Sequence, residues 1–362
     1  MKSKIMVIGG YGHVGQQICL QLSEQYPGQV FAAGRSYEKA DQFSRLTKGR
    51  VRPFQIDVKH PLNTDWMDET KLVIMCLDQE DTSFAEACLR SGVDYLDISA
   101  KGAYIEQVAK LDHQHMNATA LLSVGLAPGL TNLLAAKAVS KLTSVEQIDI
   151  SIMLGIGDQH GKAAIEWTID HVHTDYELTE NHQQKRVKSF TGGKQIDFGG
   201  RLGKRYAYRF PFSDQQTLPF TLQVPSVTTR LCFDSRVATR ALALTRTLGM
   251  TSFLTSTKMK DRVISLIQSS QMGTEQYAVK VDVTGKDGRQ HAAIGIEGHD
   301  ESQATAQVAC AAALHLLNRR FQAGVFHMEE LFSLAYSNGV FALVDQKTQE
   351  ERALAMRASV LT

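Results

Sequence analysis

Over the first 140 residues, short apolar runs alternate with longer stretches whose apolar positions recur at helical spacing. The runs Ile5–Ile8, Val30–Ala33, Val51–Ile56, Leu72–Cys76, Tyr95–Ile98 and Ala120–Val124 are nearly all apolar, as strands covered on both faces require. Val14–Ser23 and Ser83–Arg90 carry helical patterns between them. This β-α-β-α order predicts a parallel sheet. Pro27-Gly28 is expected to close the first helix. Pro128-Gly129 is expected to open the helix after the sixth strand, at a position where no N–H is needed.

The pattern changes near residue 145. Tyr277, Val279, Val281 and Val283 alternate with smaller or polar residues, Gly285-Lys-Asp-Gly288 follows, and His291-Ala-Ala-Ile-Gly-Ile resumes the alternation. That is a hairpin with one face buried. With the helical stretches Gly161–His171 and Ser235–Leu248, the middle region reads as α+β around a mostly antiparallel sheet. From Glu301 the pattern is helical again. Ala304, Val308, Ala311, Ala312 and Leu316 form a small-residue stripe suited to packing back on the first region. The last dozen residues from Glu350 read as a loosely attached helix.

Composition narrows the function. The chain has 362 residues, 39 Lys+Arg against 38 Asp+Glu, and 43% hydrophobic residues. This length suggests about two domains, at roughly 100–200 residues each. The basic residues are scattered, so neither nucleic acid nor an acidic membrane face is an expected partner. Five widely spaced cysteines, Cys19, Cys76, Cys88, Cys232 and Cys310, sit in apolar segments and suggest no disulfide framework. No Cys/His spacing matches a zinc site, so no metal is expected. The N-terminal apolar run is too short for a signal segment or a membrane span, and a cytoplasmic location is expected.

The most specific chemistry lies in Gly9-Gly-Tyr-Gly-His-Val-Gly15, set between the first strand and the first helix. Glycines here permit a tight turn and a close backbone approach to a pyrophosphate, which would meet the helix N-terminus at Gly9, Gly10, Gly12, His13, Val14 and Gly15. The second strand ends in Gly34-Arg35-Ser36 rather than in the acid that usually holds a ribose 2′-hydroxyl. The Arg35 guanidinium and Ser36 hydroxyl suit a 2′-phosphate, so NADP is favoured over NAD. Ser36 also suits an N-cap for the helix starting at Tyr37. Asp57, after the third strand, either meets the adenine amino group or serves as a turn residue. Cys76 and Leu77, at the end of the fourth strand, fall where the cofactor's ribose and nicotinamide would run. Cys76 is expected to act as a small hydrophobe.

Two further stretches complete a pattern: AEACxxxGVxYxDxS at residues 85–99 and GxxPGxxN at residues 125–132. With the glycine loop they resemble the saccharopine dehydrogenase-like family, well over residues 1–140 and weakly again at Gly298–Asn318. The resemblance implies an oxidoreductase using NADP and acting at a C–N bond between an amino acid and an oxo-acid or aldehyde. It also implies that Asp97 and Ser99 stand at the fifth strand end, and that Pro128, Gly129 and Asn132 line the nicotinamide pocket. Leu77-Asp78 and Ala100-Lys101-Gly102 depart from the family pattern and leave the substrate open.

Losing water from a carbinolamine needs a general acid. Lys101, at the cofactor edge, and His160 with Asp158, on the glycine-rich stretch before the helix ending at His171, are the candidates. A carboxylate substrate needs a guanidinium, for which Arg230 is preferred over Arg201 and Arg209. These readings predict an α/β fold in two parts. Residues 1–130 plus about 301–362 form a Rossmann doubly wound parallel sheet. The inserted α+β domain, residues 131–300, carries the substrate site and a homodimer interface. Two other functions fit the same sequence: an enoyl or carbonyl reductase, and a non-catalytic NADP(H)-binding sensor.

Overall fold

In the first unit, the β-branched runs become strands because both their faces are covered. The computed structural model describes residues 2–59, 64–111, 116–157, 162–249, 262, 274–337, 340–354 and 358–360. Within it the chain divides into two compact units, residues 1–130 with 302–356, and residues 131–301 with 357–362.

The first unit contains β1 (Lys4–Ile8), β2 (Val30–Gly34), β3 (Val51–Gln55), β4 (Thr70–Met75), β5 (Asp94–Asp97) and β6 (Thr119–Leu122). A seventh strand, Gly324–His327, joins the edge, giving the order Gly324–His327, β6, β5, β4, β1, β2, β3. Every pairing is parallel. The strand order reverses beside β1, and ligands of doubly wound sheets bind at the carboxyl strand ends near such a switch point. The sequence pattern missed the edge strand, whose four residues are too few to show a period. Helices α1 (His13–Gln25), α2 (Tyr37–Leu46), α3 (Ser83–Arg90) and α4 (Gly102–Ala109) follow successive strands. Met6, Ile8, Val73, Met75, Tyr95 and Leu122 share one buried cluster with Phe84, Leu89, Tyr104 and Ile105 of α3 and α4. As expected, the helix Glu301–Asn318 buries Ala304, Val308, Ala311, Ala312 and Leu316. From Ser302 on it belongs to the first unit, where its Cys310 thiol lies 3.8 Å from the Ile18 carbonyl of α1.

The second unit is a seven-stranded mixed sheet. It comprises α5 (Thr131–Val139), β7 (Gln147–Leu154), α6 (Lys162–His171), β8 (Asp175–Glu180), β9 (Gln183–Lys188), β10 (Lys194–Asp197), β11 (Lys204–Arg209), α7 (Asp214–Thr221), β12 (Ser226–Phe233), α8 (Arg236–Thr247), β13 (Gln276–Thr284) and β14 (His291–His299). The β13–β14 hairpin is as expected, with Val279 opposite Ile296 and Val283 opposite Ala292. The sheet is antiparallel except at its centre, where β7 and β12 run parallel in register from Ser226 opposite Gln147 to Phe233 opposite Leu154. β8 and β9 form a separate hairpin.

Three expectations are corrected. The described residues from Glu350 on hold strands, Glu351–Leu354 and Ala358–Val360, and not a helix. The last of these pairs with β14, so the chain's end returns to the second unit and not the first. Pro128-Gly129 also does not begin a helix. The Ala127-Pro128 peptide is cis, Pro128 is extended, Gly129 has φ +131°, and α5 starts only at Thr131.

Candidate cofactor site

The glycine loop turns sharply because Gly9, at φ +80°, lets its N–H reach the Ala33 carbonyl at 2.8 Å while its own carbonyl accepts the Gly12 N–H at 2.8 Å. Gly15 needs the absence of a side chain even more. A Cβ there would stand 2.3 Å from the Gly9 oxygen, so only glycine lets α1 pack this close to the turn. The N-cap of α1 is Gly12, which has no side chain to satisfy the first-turn N–H groups, and no acid lies in that turn. His13 and Gly12 are exposed and Val14 is half-buried. Uncapped amides at the positive end of a thirteen-residue helix form a site for an anion. The residues present therefore fit a dinucleotide's pyrophosphate.

At the end of β2 the structure adds a residue that the sequence argument passed over. A Cβ on Gly34 would lie 2.5 Å from the Tyr11 hydroxyl, so the ring of Tyr11 lies directly against Gly34. That hydroxyl accepts the Ser36 N–H at 3.1 Å. The signal was available in an aromatic residue between the first two glycines of the fingerprint. Arg35 is exposed, and its carbonyl is held by the Gln55 amide at 3.0 Å. Ser36 is the N-cap of α2, accepting the Lys39 N–H at 3.3 Å and donating to a Glu38 oxygen at 2.9 Å. Its hydroxyl is thus already engaged. Backbone and Ser36 hydrogen bonds hold the Glu38 carboxyl below the usual range. Asp57 accepts the Lys59 N–H at 3.1 Å in a turn.

Cys76 and Leu77 leave β4 beside Gly9, where an added Cβ would meet the Leu77 Cδ2 at 3.0 Å and the Cys76 Cβ at 3.4 Å. Burial pushes the Cys76 thiol up, so it is a packing group and not a nucleophile. Leu77 is 42% exposed, an uncovered apolar side chain at the strand edge. At the end of β5, the buried Asp97 carboxylate accepts the Tyr95 hydroxyl at 2.6 Å and the Ser99 N–H at 2.7 Å, and the Tyr95 and Tyr104 hydroxyls are 2.9 Å apart. Burial raises the Asp97 pKa to about 6, against the opposing effect of these hydrogen bonds. Lys101 stands just before α4, half-buried, with its Nζ 3.5 Å from the Gln79 carbonyl.

In the loop after β6, Pro128 and Gly129 are held by residues the sequence did not flag. Ser123, at φ +57°, shares a buried 2.9 Å hydrogen bond with Nδ1 of His327 at the end of the neighbouring strand. His327 caps the short helix Met328–Leu331 reciprocally with Glu330, and burial holds its pKa below the usual value. Gly129 lies so close to this loop that a Cβ would stand 2.9 Å from the Ser123 oxygen. The Thr305 hydroxyl accepts the Leu126 N–H at 3.2 Å. Pro128 and Gly129 are thus fixed at the carboxyl edge of the sheet.

In the second unit Asn132 is buried in the first turn of α5, its amide 3.5 Å from the Thr217 hydroxyl. Arg230 is also buried, and its guanidinium binds Asp149 at 2.5 Å. Asp149 also takes Lys194 at 2.9 Å and the Gln147 amide at 2.9 Å, and these partners, Arg230 and Lys194 foremost, keep its carboxyl low despite burial. The clamp expected of Arg230 is engaged inside the protein, joining the two parallel central strands. Asp158 and His160 lie outside the described residues. Among the described residues no cluster of His, Cys, Asp and Glu suits a metal, and no helix is long and apolar enough to cross a membrane.

Residues 5–121 match the family model described as saccharopine dehydrogenase NADP binding domain. No curated protein matches the sequence. Among solved structures, homospermidine synthase from Legionella pneumophila in complex with NAD is similar over 91% of this chain and 87% of its own, with 12% identity and a TM-score of 0.62. Apo saccharopine dehydrogenase (L-Glu forming) from Saccharomyces cerevisiae is similar over 90% of this chain and 94% of its own, with 12% identity and a TM-score of 0.56. At such identity these two likenesses speak for the fold alone.

Proposed function

Because residues 5–121 match the family model described as saccharopine dehydrogenase NADP binding domain, we propose that the chain is an NADP-dependent oxidoreductase acting at a C–N bond. The substrate class is an imine or secondary amine formed from an amino acid and an oxo-acid or aldehyde. The observation that carries this reading is the uncapped, acid-free N-terminus of α1, set one strand away from an exposed arginine. When bound, the nicotinamide supplies or accepts the hydride.

The chain's own residues divide the remaining work. First-turn amides of α1 hold the pyrophosphate, and Arg35 holds the 2′-phosphate through its planar guanidinium. Asp57 meets the adenine, while Cys76, Leu77, Ser99, Pro128 and Gly129 line the ribose and nicotinamide. Lys101 gives the proton with which the carbinolamine hydroxyl leaves as water and takes it back from water in the reverse direction, with Asp158 and His160 as the competing candidates. Asn132 orients the substrate, and the second unit supplies substrate specificity and the homodimer contact.

Leu77 favours a second reading. An exposed apolar side chain at the strand edge would suit an enoyl or carbonyl substrate lacking charge. The test is loss of NADPH absorbance with pairs of 2-oxo-acid and amino acid, compared with enoyl and simple carbonyl substrates. Turnover with the pairs is expected. Turnover only with uncharged substrates would replace the first reading with the second, and tight NADPH binding without any turnover would leave a sensor.

A further inference from the structure

The second unit holds a pocket that shares no residue with the nucleotide loop. Its volume is about 250 Å³, and it is lined from β10, β11, the end of β12 and the start of α8. Four cations face it, Lys204, Arg205, Arg236 and Arg240, with the rings of Tyr206 and Phe233 and without an acidic side chain. Among the described residues, none of the four takes part in an ion pair.

Two acids that neighbour the lining residues, Asp197 and Asp234, have their carboxylate hydrogen bonds elsewhere. Asp197, opposite Lys204 in the β10–β11 register, accepts the Gly199 N–H at 2.9 Å. The Asp234 carboxylate takes the N–H groups of Ile156 at 3.1 Å and Ser235 at 2.8 Å, and the Thr274 hydroxyl at 3.0 Å. Arg205 is held in place by two carbonyls, its Nε on Leu202 at 3.1 Å and its Nη1 on Asp234 at 2.6 Å. Its guanidinium is therefore positioned before any ligand arrives.

Four like charges around one small volume repel one another, and this chain has no global cationic excess to explain them, with 39 basic against 38 acidic residues. The arrangement is complementary to a compact anion with several charges. Guanidinium forks match the oxygens of a phosphoryl group in pairs. The volume lies just below the usual range for small-molecule sites, roughly 300–1,000 Å³, so it suits one or two phosphoryl groups. Tyr206, 44% exposed, offers a ring face to an attached organic group. We propose that this pocket binds a small phosphorylated anion carrying at least two negative charges.

The test is calorimetric titration of the full chain with pyrophosphate, repeated with inorganic phosphate and with a single-stranded oligonucleotide. The expected result is saturable binding at one site that weakens with added salt, with phosphate weaker than pyrophosphate. The double variant Arg236→Ala/Arg240→Ala, both side chains being exposed, should lose at least tenfold in pyrophosphate affinity while its NADPH affinity stays unchanged. Lys204→Ala provides a second, milder loss should the double variant lose its native circular dichroism. The proposal is overturned by absence of saturable binding, by binding that survives these substitutions, or by binding that Gly15→Ala abolishes instead, which would place pyrophosphate on the nucleotide loop. A far tighter oligonucleotide that displaces pyrophosphate would overturn it in favour of a nucleic-acid surface.

Discussion

The Ser36 hydroxyl already receives the Lys39 N–H and binds Glu38, so in the proposed NADP site recognition of the 2′-phosphate rests mainly on Arg35. Glu38 then becomes the opposing residue, a carboxylate held ionised beside the site. Glu38→Gln should tighten NADPH binding a few-fold and leave NADH binding unchanged, as read by quenching of intrinsic fluorescence. A weakening for NADPH would show that Glu38 supports the site. Lys101→Met should lower turnover by about a hundredfold or more while leaving NADPH affinity intact, the usual scale for a lost acid or base. Asp97 makes a prediction about pH. Its pKa is raised to about 6, so its protonated form is favoured more in the folded chain than in the unfolded one. The stability this contributes is present below about pH 4 and lost as pH rises through about 6. Asp97→Asn, whatever its constant offset, should therefore gain stability relative to the native chain between those values, by at most about 3 kcal/mol at 1.36 kcal/mol per pKa unit. A difference between the two melting curves that stays flat with pH would contradict this assignment.

At the scale of elements, the glycine turn depends on contacts that a single methyl group would break. Gly15→Ala places a Cβ against the Gly9 carbonyl, so NADPH binding should be lost while the rest of the first unit stays folded. This element was legible because the chemistry and the steric limit fall on the same residues. Strand runs such as Ile5–Ile8 and Val30–Ala33 were legible because burial on both faces leaves no polar position in them. The loop after β6 was not. Ser123 meets His327 and Leu126 meets Thr305 only through the fold, the pairs being 204 and 179 residues apart in the chain, and no local period marks them. Pro128 misled for a related reason. Its ring suits a first helical turn, but the close approach of Gly129 to the Ser123 carbonyl places both residues in an extended, kinked segment. His327→Ala removes the buried partner of Ser123 and should lower stability by about 1–3 kcal/mol, with a parallel loss of cofactor affinity. Unchanged affinity would show that the loop does not bear on the nicotinamide.

For the whole molecule, the seven-stranded sheet of the first unit is parallel throughout and that of the second is mixed. The second unit tolerates Arg230 and Asp149 between its two parallel central strands because they neutralise each other there. Sequence alone showed an arginine in a segment suited to a pocket wall, and the partner 81 residues earlier was invisible to it. The strand Ala358–Val360 escaped notice similarly, since it forms by pairing with the edge of β14, more than 50 residues earlier in the chain. The central claim is that the first unit binds NADP through the α1 N-terminus and Arg35. The most direct test measures dissociation constants for NADPH and NADH with the native chain and with Arg35→Ala. The account predicts tight NADPH binding, much weaker NADH binding, and a loss of about 1.5–3 kcal/mol for NADPH alone in the variant, the scale of hydrogen bonds to a charged group. Equal affinities in the native chain, or a variant that keeps its preference for NADPH, would contradict it.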